Sequence, residues 1–432
     1  MTLSRMLGLM AGTLGLRFAG AGLGLITQLV LTRNFAPADV GIIFLAMSMA
    51  AFFSLCVAVG YPLLALTQLP RFYTLGLTRL VRAFHGIFLH DMVVTATVIF
   101  MGVAVMINGN FAEPGLRVAL LFGALSAVPS ALIRYNCSVA NSLRYYQWAF
   151  LPDFIIRPGL FLGYLLSVLV LHQPLTVAHC LTAFVISNVI VACIQAVVVG
   201  REGVRASDWF KTSLKLTAAL RRRSVALAIV GAVTVMFADV VTLLGGFILP
   251  HEQLAILGLC IRLAGIAGFV IQATQQFILP DLTAALTRRD EHMAHRLLLR
   301  LNLLTVVTLA LGLIAAIGIG GWALSLFGPD YRAGHGLLVL FLCGQSIRAL
   351  SGMNQNLMSI AGKQVRSAAA AIIGVAVFAA LWLALAPQLG LYAAGWAVVL
   401  AELAWAVMLA TQARQLLGRR ADLFWLLSHR PD

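Results

Sequence analysis

Stretches of about 20 apolar residues, long enough to cross a bilayer as helices, recur along this chain from one end to the other. Twelve such runs are present: Leu7–Leu31, Gly41–Leu66, Gly86–Ile107, Val118–Val139, Trp148–Leu171 and Val177–Val199, then Val225–Leu249, Gln253–Leu279, Leu297–Gly320, Gly336–Ile360, Ser367–Ala386 and Leu391–Ala410. A soluble fold cannot bury them all. Of 432 residues, 61% are hydrophobic and only 10% charged, too little polar surface to cover a core of that size. The pattern specifies an all-α integral membrane protein with twelve transmembrane helices. The first run is too long for a signal-peptide core and is interrupted by Arg17, so it is expected to stay as a helix.

The formal charge of +15 raises the question of nucleic acid, and its distribution answers it. Ends and loops on the side of the N-terminus carry 22 Lys and Arg, whereas the opposite loops carry only Arg33, Arg117 and Arg332. That bias places both termini in the cytoplasm and makes the charge topological. It also suits anionic membrane lipids, and no nucleic-acid partner is expected. The six cysteines lie in or beside apolar runs without metal-ligand spacing, and His85, His90, His251, His292 and His295 form no nucleophile or metal constellation. They are read as packing and interfacial residues, and no metal or cofactor is expected.

The longest polar segment, REGVRASDWFKTSLKLTAALRRRS (Arg201 to Ser224), divides the runs six and six. The expected organisation is an N-terminal lobe over 1–200, a basic cytoplasmic linker over 201–224, a C-terminal lobe over 225–413 and a basic cytoplasmic tail over 414–432. Internal echoes support a repeat. Pro37 and Asp39 recur as Pro250 and Glu252, Pro70 as Pro280, and Thr78-Arg79 as Thr287-Arg288, all at an offset of about 210 residues. Six being even, both halves cross the membrane in the same sense, a parallel pseudo-two-fold arrangement used by transporters with the substrate site between the halves.

Five arginines lie inside runs: Arg17, Arg134, Arg157, Arg262 and Arg348. A charge at the bilayer centre costs at least ~2.5–3.5 kcal/mol on insertion scales, so such residues face a bundle interior or a watery cavity. Helical spacing gives three of them a polar, small-residue stripe. Around Arg17 it holds Thr13, Gly20, Ala21, Gly24, Thr27 and Gln28; around Arg262, Gly258, Gly265, Gln272 and Gln276; around Arg348, Gln345, Ser351, Gly352 and Gln355. The intramembrane acids are Asp91, Asp153, Asp239 and Glu402. The bland reading pairs each arginine with an acid, and Asp153 with Arg157 is an i,i+4 pair suited to that. The functional reading is an anion-binding cavity, because guanidinium groups grip phosphate oxygens bidentately and keep their charge when desolvated. Asp91 and Asp239, with Asp153, are candidates for coupling to H⁺ or Na⁺ or for pairing with a cavity arginine. Gln28, Gln272, Gln355 and Asn354 are candidate sugar-facing amides, or interhelical hydrogen-bonders. Gly20-x-Gly22-x-Gly24 lies in a membrane helix rather than after a strand, so its glycines serve helix packing, not a nucleotide.

LTRNFAPADVGIIFLAMS (Leu31 to Ser48) resembles the junction after the first helix of the polysaccharide and O-antigen flippases. These belong to the multidrug/oligosaccharidyl-lipid/polysaccharide exporter superfamily, with the multidrug and toxin extruders and the lipid II flippases. LPDFIIRPGL (Leu151 to Leu160) resembles the family's fifth helix, ADVVTLLGGFILPHEQLAILGLCIRLAG (Ala238 to Gly265) its seventh and eighth, and LFGPDYRAG (Leu326 to Gly334) its loop before helix ten. Two departures stand out: Ala36 replaces a usual glycine, and ANSLRYY (Ala140 to Tyr146) replaces the usual motif after helix four. The resemblance implies two six-helix lobes around a cationic cavity, with Arg17 and Arg262 lining it. It also implies an undecaprenyl-diphosphate-linked oligosaccharide as cargo, flipped across a bacterial inner membrane by alternating access, with a glycan polymerase as a partner. The alternatives are an ion-coupled multidrug exporter of the same fold and a membrane glycan polymerase or ligase. External loops of roughly 5–15 residues are short for a catalytic subdomain, so no enzyme is expected.

Overall fold

In lipid each backbone N–H and C=O must find its partner within its own segment, and an α-helix does this. The computed structural model describes residues 3–109, 111, 113–143, 145–200, 218, 220–225, 227–228, 237–288, 290–361, 363–418 and 420–428, and every regular element among them is helical. The long helices of the first half are α1 (Leu3–Asn34), α2 (Pro37–Ala58), α4 (Thr78–Asn108) and α5 (Pro114–Ser142), with the shorter α3 (Tyr61–Thr74) following α2. Then come α6 (Tyr146–Val170) and α7 (Val177–Gly200). After the central segment lie α8 (Phe237–Ile248), α9 (His251–Thr287), α10 (Glu291–Ser325), α11 (His335–Leu350) and α12 (Asn354–Ile360), then α13 (Gln364–Leu389), α14 (Leu391–Leu417) and α15 (Leu423–Ser428). Ten helices among the described residues are long and apolar enough to cross a membrane, and the two remaining runs fall on α8 and α9. This is a multi-pass membrane protein.

The echoed motifs have a local cause. Pro37 opens α2 and Pro250 immediately precedes α9, with Asp39 and Glu252 in the respective first turns. Proline lacks the N–H that a first turn leaves unused, and a carboxylate there meets the positive end of the helix dipole. On α4, Val94, Val98, Met101 and Val105 form an exposed apolar stripe at helical spacing, and on α10 Leu304, Val307, Leu311, Ile314 and Trp322 do the same. These are faces suited to lipid.

The chain forms two compact units, Met1–Gly246 and Phe247–Asp432. In the first, α5 is the central post: α2, α3 and α7 pack against it, and α6 joins α7 to α1. The unit boundary lies inside α8, and Gly246 sits against the side chain of Leu45 on α2. In the second unit α11 packs on α14, α10 and α9, and α13 lies along α14.

Two runs that hydropathy reads as single spans are broken. Run 2 divides at Val59 and Gly60, whose φ of 45° and 75° are left-handed, and run 10 divides at Gly352 with φ 62°. Both breaks receive chain from segments read as peripheral. In the central linker, residues 220–225 are helical, and Leu220 and Ser224 are buried. A Cβ on Gly60 would collide with the carbonyl oxygen of Ser224 and lie 2.5 Å from the backbone nitrogen of Ala228. In the tail, Ala421 is fully buried, and a Cβ on Gly352 would collide with its carbonyl oxygen. The ends of the linker and the tail are therefore packed parts of their units, not solvated extensions.

Gly76 also has a left-handed φ, 66°, but open space where a Cβ would go. Gly76→Ala should therefore cost only the backbone strain, about 1–2 kcal/mol. Gly60→Ala adds a clash with Ser224 and should lower the thermal unfolding midpoint in detergent distinctly more, a comparison that scanning fluorimetry on the two variants makes directly.

Candidate functional site

Two prolines shape α6. In a regular helix residue 152 would donate to the Trp148 carbonyl and residue 158 to the Phe154 carbonyl, but both are proline and have no N–H. The helix responds with a π turn over Pro152–Ile156, in which the Arg157 N–H donates five residues back to the Pro152 carbonyl. The Trp148 carbonyl instead accepts from the side-chain amide of Gln195 on α7, at 3.4 Å. The Phe154 carbonyl faces α1 at Gly20, where a Cβ would come within 2.6 Å of it. Gly20 thus allows a close helix contact, whereas Gly24 has nothing within 4 Å of its Cβ position.

That contact sets Arg17 over two rings of α6. Its guanidinium carbon lies 5.4 Å from the Phe150 centroid and 5.6 Å from the Phe154 centroid, within cation–π range. On the same helix Arg157 Nη2 is 2.8 Å from Asp153 Oδ1. Arg134 of α5 stands within electrostatic reach of Asp153, Arg157 and Asp239. Around α6 the structure therefore gathers five of the sequence-derived charges, three arginines and two aspartates. A cavity of about 270 Å³ opens beside them, lined by Arg134, Ser138, Asn141 and Asp153, by the rings of Phe150 and Phe154, and by Leu55, Leu63, Leu66 and Leu227. Its polar wall has donors and acceptors next to aromatic faces, and its other wall is aliphatic. Ser138, Asn141 and the two phenylalanines carry no charge, and no sequence pattern marks them as site residues.

Asp91 on α4 has a partner from far along the chain. Arg221 of the linker donates from Nε to Oδ1 and Oδ2, both at 3.0 Å, and from Nη2 to Oδ1 at 2.5 Å. Tyr61 donates its hydroxyl to Oδ2 at 2.7 Å, and His90 Nδ1 lies 3.1 Å from Oδ1. These bonds push the Arg221 guanidinium above its ordinary value, so it remains charged. His85, read as interfacial, is instead buried and hydrogen-bonds the hydroxyl of Tyr135, whose ring stacks 3.7 Å from that of Phe88. An aromatic core forms around it because α4 and α5 pack closely there.

In the second unit, Arg262 donates from Nη1 to the Gly258 carbonyl at 2.9 Å, one turn back on α9, and Gly265 faces open space. Arg348 lies 3.6 Å from Glu402 Oε1 and 4.5 Å above the centroid of Trp405. Asn354 is buried and clamps the tail, because its Oδ1 accepts from the Ala421 N–H at 2.7 Å while its Nδ2 donates to the Ser351 carbonyl. Asn302 donates to the Ala421 carbonyl at 2.9 Å. Gln355 is half-buried, Gln28 has its Oε1 buried without a hydrogen-bond partner, and the side chains of Thr13 and Gln272 lie outside the described residues. Among the described residues no group of three or more His, Cys, Asp or Glu is placed to hold a metal ion.

Solved structures share this architecture. An inward-facing multidrug resistance MATE family transporter of the MOP superfamily superposes with a TM-score of 0.74 at 12% identity, over 93% of this chain and 94% of that one. This chain shares the fold of that transporter. The lipid II flippase MurJ, in an inward closed conformation, gives 0.71 at 12% identity over 93% and 87%. A MOP superfamily transporter from Pyrococcus furiosus, whose binding pocket is described as of reverse polarity, gives 0.63 at 12% over 95% of each chain. No family model matches the chain, and no curated protein matches it. At these identities the likeness concerns the fold, and the site has to be read from the side chains themselves.

Glu402 is 6% exposed and Arg348 27%, so the pair should show the asymmetry of buried ions. Arg348→Gln alone leaves the carboxylate without its counter-charge and should cost about 3 kcal/mol. The double variant Arg348→Gln with Glu402→Gln should recover most of that loss, as thermal unfolding in detergent measures.

Proposed function

We propose that the chain is a flippase that carries an undecaprenyl-diphosphate-linked oligosaccharide from the cytoplasmic to the periplasmic face of a bacterial inner membrane by alternating access. The observation that carries this reading is the surplus of arginine inside the membrane runs. Asp91 is neutralised by Arg221, an arginine from outside the runs, so the five intramembrane arginines stand with three acids rather than four. A drug exporter selecting cations would favour the opposite balance. Arginine is also the side chain that holds a desolvated diphosphate best, through paired N–H donors and a charge that burial does not remove. Arg17 and Arg262 are assigned the diphosphate, with Arg134, Arg157 and Arg348 supplying the surrounding positive potential. Gln28, Gln272 and Gln355 are assigned to the sugars, and Asp239 to coupling with H⁺ or Na⁺. A glycan polymerase would consume the delivered unit.

Two structures of the same fold support a lipid-linked or polarity-tuned cargo: one is a lipid II flippase, and another is described as having a pocket of reverse polarity that suggests a different function. The second reading, an ion-coupled multidrug exporter, is favoured by the multidrug resistance transporter of the same fold.

Reconstitution separates the two. In proteoliposomes loaded with a polyprenyl-diphosphate oligosaccharide, the unaltered protein should expose the glycan to an external lectin. Arg17→Ala and Arg262→Ala should each slow exposure by about tenfold or more, as expected from losing a charged hydrogen bond of about 1.5–3 kcal/mol. Full activity in both variants, or efflux of a cationic dye with no glycan exposure, would sink the flippase reading.

A further inference from the structure

The 220–228 segment is held to the first unit by three separate contacts. Leu220 enters the apolar cluster formed by Tyr61, Phe84 and Phe88. The Ser224 carbonyl and the Ala228 backbone lie against Gly60, where only a glycine leaves room. Arg221 closes on both oxygens of Asp91. The first two contacts are buried, with Leu220 at 4% and Ser224 at 0% exposure. The third joins a carboxylate only 12% exposed to a guanidinium 45% exposed, so water reaches the cation more readily than the anion.

We propose that Asp91, with Tyr61 and His90, forms an exchangeable cation site whose occupant here is Arg221, and that a proton delivered to Asp91 displaces Arg221 and loosens the 220–228 segment. The exchange balances simply. One proton passes from water to an Asp91 carboxylate oxygen, and Arg221 leaves still protonated, to water and anionic headgroups. A neutral carboxyl keeps its hydrogen bond with Tyr61 but loses most of its attraction for a guanidinium. Docking of Arg221 and protonation of Asp91 therefore oppose each other, each weakening the other by the same factor. The titratable and charged groups facing Asp91 are Tyr61 from α3, His90 from α4 itself and Arg221 from the linker. Among them His90 is the rival proton acceptor, since its Nδ1 lies 3.1 Å from both Asp91 Oδ1 and Arg221 Nη2. The geometry stands by itself; its use as an ion-coupling step rests on the transporter reading above.

Hydrogen–deuterium exchange of the full chain in lipid nanodiscs tests this on peptides covering 218–228, with rates corrected for the intrinsic effect of pH. The unaltered protein should protect these amides at pH 7.5 and exchange about tenfold faster at about pH 3, a unit below the ordinary Asp value of ~3.9. Asp91→Asn and Arg221→Gln should each lack protection at both pH values. The double variant Asp91→Arg with Arg221→Asp should regain it at pH 7.5, which separates loss of the pair from general misfolding. His90→Gln should keep the pH response. Unchanged protection in Arg221→Gln overturns the latch. A pH-independent unaltered protein, or a response that disappears in His90→Gln, overturns Asp91 as the acceptor. Because the readout needs no cargo, a normal latch alongside failed glycan flipping would reject the flippase reading and leave this one standing.

Discussion

The hydrocarbon interior offers no hydrogen-bond partner, so each polar group in these helices must be matched by the protein itself. That requirement organises the first unit. Two prolines remove two donors from α6, and the helix answers with a π turn and with the amide of Gln195 from a neighbouring helix. The Phe154 carbonyl, whose helical donor Pro158 lacks, faces Gly20, and the approach that glycine permits brings Arg17 onto Phe150 and Phe154. The arginine that is anomalous in a greasy helix is thus seated by a chain of backbone consequences that begins one helix away.

A second theme is shared by both units. In each, a helix break at a left-handed glycine receives a carbonyl from a segment that hydropathy excludes from the membrane: Ser224 at Gly60 and Ala421 at Gly352. In each, a charged residue of that segment is fixed nearby, Arg221 by Asp91 and Asp422 by Arg420 and Asn354. Sequence spacing does not relate the two breaks, so they are two uses of one device and not a copied motif.

Much of the fold was legible in the sequence because the bilayer imposes a length and a composition that can be counted. Ten spans coincide with apolar runs, and the Pro37 and Pro250 echo marks two helix starts for a plain capping reason. The breaks at Gly60 and Gly352 were not legible, since hydropathy sums side chains and does not register backbone dihedrals. The same boundary divides the site. Asp153 and Arg157, four residues apart, were visible as neighbours. Asp91 with Arg221, Arg348 with Glu402 and Asn354 with Ala421 are joined only by the folded chain, and no local period points to them. The polar wall of Ser138 and Asn141 was silent for another reason: uncharged residues in a helix are unremarkable until a cavity forms beside them.

The π turn in α6 also bears on how such a helix tolerates insertions and deletions. A surplus residue stored as a wide turn can be lost without breaking the helix, because ordinary α geometry is available to the shortened chain. Because the wide turn spreads one extra residue over about the same rotation, its loss would leave the two ends of α6 in the phase they have here, with Phe150 still on Arg17 and Arg157 in its place. The same loss from a regular stretch of α6 would turn one end by about 100° relative to the other and take the cradle apart. In this helix the place of a single-residue gap, more than the identity of the residue lost, decides whether the charges keep their phase.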